Sequence, residues 1–143
     1  MSEPSENRLL PQPTEESQLF WDALKEHRLD LQTCGDCGAV RHYPRPVCPE
    51  CHSMAVTWTT ASGLGSVHSW TVSYQAFHPA FQDCLPIILA TVDLEEGVRM
   101  NCRLDGVDPE KIEVDLPVEV AFEDVNDEVT LPVFRPRAST GDA

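Results

Sequence analysis

Alternation of apolar and polar residues dominates the C-terminal two-thirds of the chain. SVHSWTVSY (66–74) alternates and is rich in β-branched and aromatic residues, which predicts a strand. PIILATVDL (86–94) is mostly apolar, the pattern of a strand buried on both faces. The turn Glu95-Glu96-Gly97 joins it to VRMNCRL (98–104) as a hairpin. PVEVAFEDV (117–125) alternates more cleanly, with Val118, Val120 and Phe122 on one face and Glu119 and Glu123 on the other. VTLPVFRP (129–136) completes the series, and its Pro132 predicts an edge position or a bulge.

Between the third and fourth strands, GVDPEKIEVDLP offers only a turn or a short helical segment. Five short strands with one non-hairpin connection predict a small barrel of the OB type. Ahead of it the period changes. PTEESQLFWDALKEHRL reads as a helix, with Pro13 and Thr14 at its start, Glu15 and Glu16 in its first turn, and Lys25, His27 and Arg28 in its last. Phe20, Ala23, Leu24 and His27 fall on one face, flanked by Leu19 and Trp21. The expected architecture is mainly β: a disordered N-terminus (1–13), a helix (14–30), a metal ribbon (31–56), a five-stranded OB-fold barrel (57–136) and a disordered tail (137–143).

The ribbon is defined by its cysteines. Cys34-x2-Cys37 and Cys48-x2-Cys51 are separated by ten residues. A CxxC turn aims two thiolates and adjacent N–H groups at one point, so two such turns build a tetrahedral S4 site. Gly35 and Gly38 are expected to supply unusual φ in the first knuckle, and Pro49 to stiffen the second. Zinc is the first choice of metal, and iron is the alternative because CGDCG and CPEC also look like rubredoxin knuckles. A closed S4 shell leaves no position for water, so the expected role is structural. His42 and His52 have no ligand duty beside four cysteines and are read as surface residues or neighbours of the ligands. Cys84 and Cys102 read as small, semi-buried apolar residues.

The formal net charge of -14 argues against binding a polyanion. Residues 1–60 carry five Lys/Arg against nine Asp/Glu, and residues 61–143 carry five against fifteen, so the strand region alone is at -10. No apolar run is long enough to span a membrane, and MSEPSENRLLPQPTEES does not resemble a secretory signal. A cytoplasmic setting is expected, where paired cysteines more often bind metal than form disulfides. No GxSxG elbow, phosphate-cradling Gly-rich loop or spaced Ser/His/Asp set marks a catalytic centre.

The order of these segments carries a resemblance. FWDAL, LDLQTCGDCGAVRHYPRPVCPEC, GLGSVHSWTVSY, LPIILATVDLEEGVRMNCRL and DLPVEVAFEDV follow one another across residues 15–136. The most specific parts are the clip with Tyr43-Pro44-Arg45, the Leu-Pro-x-x-x-Ala-x-Val-x-Leu-x-x-Gly strand pair ending at Gly97, and the Leu-Pro-Val-Glu-Val segment. The chain resembles the acyl-CoA-associated zinc-ribbon/OB-fold family known as DUF35. That resemblance implies a non-catalytic accessory subunit with one structural zinc. It would bind, stabilise and help close the active site of a thiolase-like enzyme: a thiolase, an acyltransferase, or a retro-aldolase such as those that shorten steroid side chains. It further implies acyl-CoA at a shared site and, by analogy with the partner's two-fold symmetry, a heterotetramer.

Interface energy concentrates in a few aromatics and arginines. The loop QAFHPAFQDCLP (75–86) carries Phe77, His78 and Phe81, which with Trp21, Arg41 and Arg45 are the residues expected to face partner or acyl-CoA. Trp58 and Trp70 are expected in the core. Two other readings fit parts of the sequence. A free-standing acyl-CoA-binding module would bind ligand tightly without a partner. An OB-type nucleic-acid binder would need a basic groove beside Trp70 and Tyr74, and the strands carry too few cations for one. Hydratases of the hot-dog type, which also associate with this family, are the further class of partner.

Overall fold

The computed structural model describes residues 11–76, 79 and 85–137. Helix α1 (Gln18–Lys25) leads into a three-stranded antiparallel sheet of β1 (Asp30–Cys34), β2 (Val40–Arg41) and β3 (Val56–Thr60), in the order β2-β1-β3. A second sheet follows, built from β4 (Leu64–Ser73), β5 (Ile87–Leu94), β6 (Arg99–Arg103), β7 (Pro117–Asp124) and β8 (Thr130–Pro136). Its order is β6-β5-β4-β7-β8. The connection predicted between the third and fourth barrel strands contains a single turn of 3-10 helix, Pro109–Lys111, capped by the Asp108 carboxylate.

Strands at the two ends of this order meet. Leu104 bridges Phe134 in parallel, and the Asp105 N–H donates to the Phe134 carbonyl at 2.8 Å. Meander, crossover and parallel closure together make a near-closed five-stranded OB-fold barrel. Long β4 pairs with β5 over most of its length and with β7 at Leu64–Ser66, with a register shift between Val67 and Ser69. Such a shift bends a strand, which lets one strand serve both sides of a barrel.

The core fills the barrel with Val67, Ile88, Ala90, Val92, Leu94, Met100, Leu104, Val118 and Phe134. It continues without a break into Phe20, Leu24, Leu29 and Leu31 of the helix and ribbon. Trp58 and Trp70 pack against this core and are partly buried. The prediction that β5 is buried on both faces is corrected. Ile88, Ala90, Val92 and Leu94 point inward, whereas Leu89 is half exposed. Pro132 sits in β8, the last strand in the hydrogen-bonded order, as its missing N–H requires.

Helix α1 is shorter than the sequence pattern suggests. Glu15 and Glu16 lie in a turn before it, where Thr14 and Ser17 bond to one another, so its first turn holds no acidic residue. His27 lies beyond the helix at φ 61°, off the predicted buried face. The His27 N–H donates to the Leu24 carbonyl and the Arg28 N–H to the Ala23 carbonyl, at 2.9 and 3.0 Å, which is a Schellman termination. Eight residues do not hold a helix in water unaided; burial of Phe20, Ala23 and Leu24 does.

Candidate metal centre and ribbon–barrel junction

The four thiols converge. The sulfurs of Cys34, Cys37, Cys48 and Cys51 all lie within 4.8 Å of one another. Cys34 and Cys51 are 3.6 Å apart, and Cys37 and Cys48 are 3.7 Å apart. A tetrahedron of sulfurs about 2.3 Å from a central ion has edges of about 3.8 Å. The donor set and its spacing therefore fit one tetrahedral metal ion and are too wide for disulfides.

Each knuckle is built by the backbone. In the first, the Gly38 N–H donates to the Cys34 carbonyl at 3.1 Å; in the second, the His52 N–H donates to the Cys48 carbonyl at 2.8 Å. Both closing residues have positive φ, 77° at Gly38 and 67° at His52. His52 thus takes the glycine's place in the second turn. Gly35 corrects the expectation for its φ, which is not positive; a Cβ there would stand 3.0 Å from Ala55 Cβ. The residue is small because Ala55, just ahead of β3, crosses the knuckle, not because the turn needs its freedom.

Amide donors favour thiolate. The N–H groups of Cys37 and Asp36 reach Cys34 Sγ at 3.4 Å each and hold that thiol down to about 6. The N–H groups of Cys51 and Glu50 lower Cys48 in the same way. These are the bonds that a metal-bound sulfur accepts. Cys37 and Cys51 shift the other way against their own amide bonds, Cys51 up to about 12, because burial and the neighbouring thiols resist further negative charge, so four thiolates together call for a cation among them. Cys102 is the opposite case. Burial pushes its thiol up to about 12, and Sγ donates to the Pro132 carbonyl at 3.0 Å, so it is a core residue as expected. Cys84 lies outside the described residues.

Between the knuckles, residues 41–45 cross from ribbon to barrel. Arg41, expected to face partner or acyl-CoA, is buried, 8% exposed, with Nη2 donating to the Arg45 carbonyl at 3.1 Å. Of the two readings of His42, the surface one is corrected. Its ring lies 5.1 Å from Phe20 and 4.0 Å from Tyr43, and burial pushes the imidazole down to about 4. Two residues not singled out as site residues lock this segment. Buried Gln32 accepts the Arg45 N–H at 2.7 Å, and the Tyr43 hydroxyl accepts the Asn101 N–H of β6 at 3.0 Å. Tyr43 had a signal in the Tyr-Pro-Arg segment; Gln32, at a polar position of an alternating strand, had none.

Two clefts flank His42. One, about 290 Å³ and mostly apolar, is lined by Phe20, Trp21, His42, Tyr43, Met100 and Pro132 among others. The second, about 570 Å³, lies between Val40–His42 and the β5–β6 hairpin. Trp21 and Arg41 are therefore brought to neighbouring clefts, and Arg45 is exposed beside them. Phe77, His78 and Phe81 lie outside the described residues. No helix among the described residues is long and apolar enough to cross a membrane.

Ribbon and barrel together define a cysteine-ribbon/OB-fold protein, and sequence comparison gives the same division. Residues 21–57 match the family described as ChsH2, rubredoxin-like zinc ribbon domain, and residues 58–123 match ChsH2, C-terminal OB-fold domain. The chain is 38% identical to a chain of a solved structure titled Ltp2-ChsH2(DUF35) aldolase, with a TM-score of 0.82 over 89% of this chain and 98% of that one. A DUF35 domain-containing scaffold protein of Methanothermobacter thermautotrophicus is 33% identical over 73% of this chain and 78% of its own length. The chain belongs to the DUF35 family, with the ChsH2 arrangement of zinc ribbon and OB-fold.

Two longer relatives match as well. A Thermomonospora curvata protein named "Probable enoyl-CoA hydratase alpha subunit" is 41% identical over 90% of this chain. The 3-oxo-4,17-pregnadiene-20-carboxyl-CoA hydratase alpha subunit of Mycobacterium tuberculosis is 34% identical over 82% of it. The chain spans only 40% and 37% of those proteins.

Proposed function

We propose that this chain is a non-catalytic accessory subunit of an enzyme acting on acyl-CoA, and that its partner is a thiolase-like lyase or transferase carrying the reactive residues. The observation that carries this reading is its likeness, over nearly the whole length of both chains, to the DUF35 chain of an aldolase assembly. The name scaffold protein on a relative of similar length points the same way.

Surface chemistry supports docking. Leu19 is 57% and Tyr43 46% exposed, and Trp21 lines an apolar cleft beside Tyr43. Aromatic side chains at a cleft of this size suit a protein or pantetheine-like guest. Trp21, Arg41, Arg45, Phe77, His78 and Phe81 are the residues assigned to partner or acyl-CoA contact. Zinc fills the four-cysteine site, with Cys34, Cys37, Cys48 and Cys51 as ligands. It supplies no Lewis-acid position in a closed S4 shell and acts by fixing the segment that carries Arg41 to Arg45 against the barrel. A two-plus-two heterotetramer follows if the partner is a two-fold dimer.

A second reading has its own support: the longer relatives named hydratase alpha subunits favour a hydratase as the partner. The two are separated by co-expressing the chain with a thiolase-like and, in parallel, a hydratase-like protein encoded beside it, followed by size-exclusion chromatography. Co-elution with the thiolase-like chain alone is the expected result. Co-elution with neither would overturn the accessory role.

A further inference from the structure

The barrel sheet closes on itself where Leu104 meets Phe134, but the ribbon sheet ends in an open edge. β3 is its last strand, and Val56, Thr57, Thr59 and Thr60 are all exposed. Antiparallel pairing turns alternate residues of a strand towards its neighbour. The Gly35 N–H donates to the Ala55 carbonyl and the Ala61 N–H to the Leu29 carbonyl, at 2.9 and 2.8 Å. The odd-numbered residues of β3 therefore face β1, and the peptide groups of Val56, Trp58 and Thr60 point outward. Among the described residues, these outward N–H and C=O groups make no hydrogen bond. Natural edges are blunted by a charge, a proline or a bulge. β3, VTWTT, has neither charge nor proline, and its register with β1 runs unbroken from Val56 to Thr60.

We infer that β3 is the seam of a homodimer, in which a second copy of this chain pairs its own β3 antiparallel to the first about a two-fold axis at Trp58. Outward groups centred on Trp58 make the edge self-complementary. Val56 lies against the second copy's Thr60, Trp58 against the second copy's Trp58, and two three-stranded ribbons become one sheet. An isologous contact of this kind closes at two chains. Charge favours the same place. Chains at -14 repel one another, yet residues 51–82 contain no Asp, Glu, Lys or Arg, so the copies meet where neither strand is charged. Asp30, opposite Thr60 on β1, is already held by the Thr60 hydroxyl at 2.7 Å and by Arg28 at 3.5 Å. Met54, 73% exposed, and Val56 supply apolar surface at the strand's leading end. This inference does not depend on the accessory-subunit reading, because it needs only this chain.

Sedimentation of the metal-loaded full-length chain from micromolar to millimolar concentration tests it, with amide hydrogen exchange read at both ends of the range. A monomer–dimer equilibrium is expected. The Val56, Trp58 and Thr60 amides should exchange about tenfold more slowly or better in the dimer, while Thr57 and Thr59, bonded to β1, stay protected at both concentrations. Val56→Pro removes an outward N–H and none that faces β1, and should weaken the dimer about tenfold or more. Should Val56→Pro fail to fold, the wild-type exchange pattern decides alone. A monomer throughout, a dimer whose outward β3 amides exchange alike at both concentrations, or an equally tight dimer of folded Val56→Pro overturns the seam. So does a monomer whose β3 amides slow only when the co-eluting enzyme subunit is added, which would make that subunit the occupant of the edge.

Discussion

His27 and Asp124, 97 positions apart in the chain, hold the helix to the barrel. His27 Nε2 lies 3.0 Å from both Asp124 carboxylate oxygens, and its ring stacks on Phe122 at 5.0 Å with planes 8° apart. The positive φ that ends the helix also aims this ring at β7. Local chain termination and long-range docking are therefore one event.

That contact makes acid stability depend on Asp124. The Thr130 hydroxyl, donating at 2.7 Å, and then His27 hold the Asp124 carboxyl below its ordinary value. A depressed folded value means that the stabilisation is fully present above the unfolded value of about 3.9 and is lost as pH falls through the folded one. Melting temperatures of wild type and Asp124→Asn should differ at pH 6 and converge towards pH 3. A gap that stays constant across this range would show that the carboxylate's charge is not what matters.

Metal removal should unfold the ribbon first. Structural zinc in small modules contributes about 10–16 kcal/mol at neutral pH, more than a short three-stranded sheet supplies alone. Chelation, or Cys48→Ser, is expected to abolish one-per-chain metal in elemental analysis and to collapse the dispersed amide signals of residues 30–60 into the narrow unfolded range. A folded ribbon without metal would contradict the structural role.

Phe134 closes the barrel: it is fully buried and bridges to Leu104. Phe134→Ala should cost about 3–5 kcal/mol in urea unfolding, because truncation leaves a cavity that a closed barrel cannot collapse around. Cys102→Ala, in the same core but far smaller in volume change, should cost much less.

The loop residues Phe77 and Phe81 test the docking surface. Phe77→Ala with Phe81→Ala is expected to leave the melting temperature unchanged and weaken partner binding. A lowered melting temperature would place the two rings in the barrel's own core.

The strands and the metal ligands were legible because each follows from spacing along the chain. Alternation at 66–74 and 117–125, an apolar run at 86–94 and the turn at Gly97 located the barrel strands, and two CxxC pairs specified the sulfurs that converge within 4.8 Å. What escaped depends on how ribbon and barrel pack. Leu89 belongs to an apolar run, yet its side of β5 lies outside the barrel core and leaves it half exposed. Gln32 and Arg41 are polar residues paired across β1 and β2, and both are buried. No local pattern reports that a polar residue will be covered by an element distant in sequence.

Turnover of an acyl-CoA thioester by the thiolase-like protein, measured with and without this chain, tests the central claim most directly. The account predicts that the partner alone is inactive or unstable, that this chain alone does nothing, and that the co-eluting complex turns over substrate. Full activity of the partner on its own, unchanged by this chain, would contradict it.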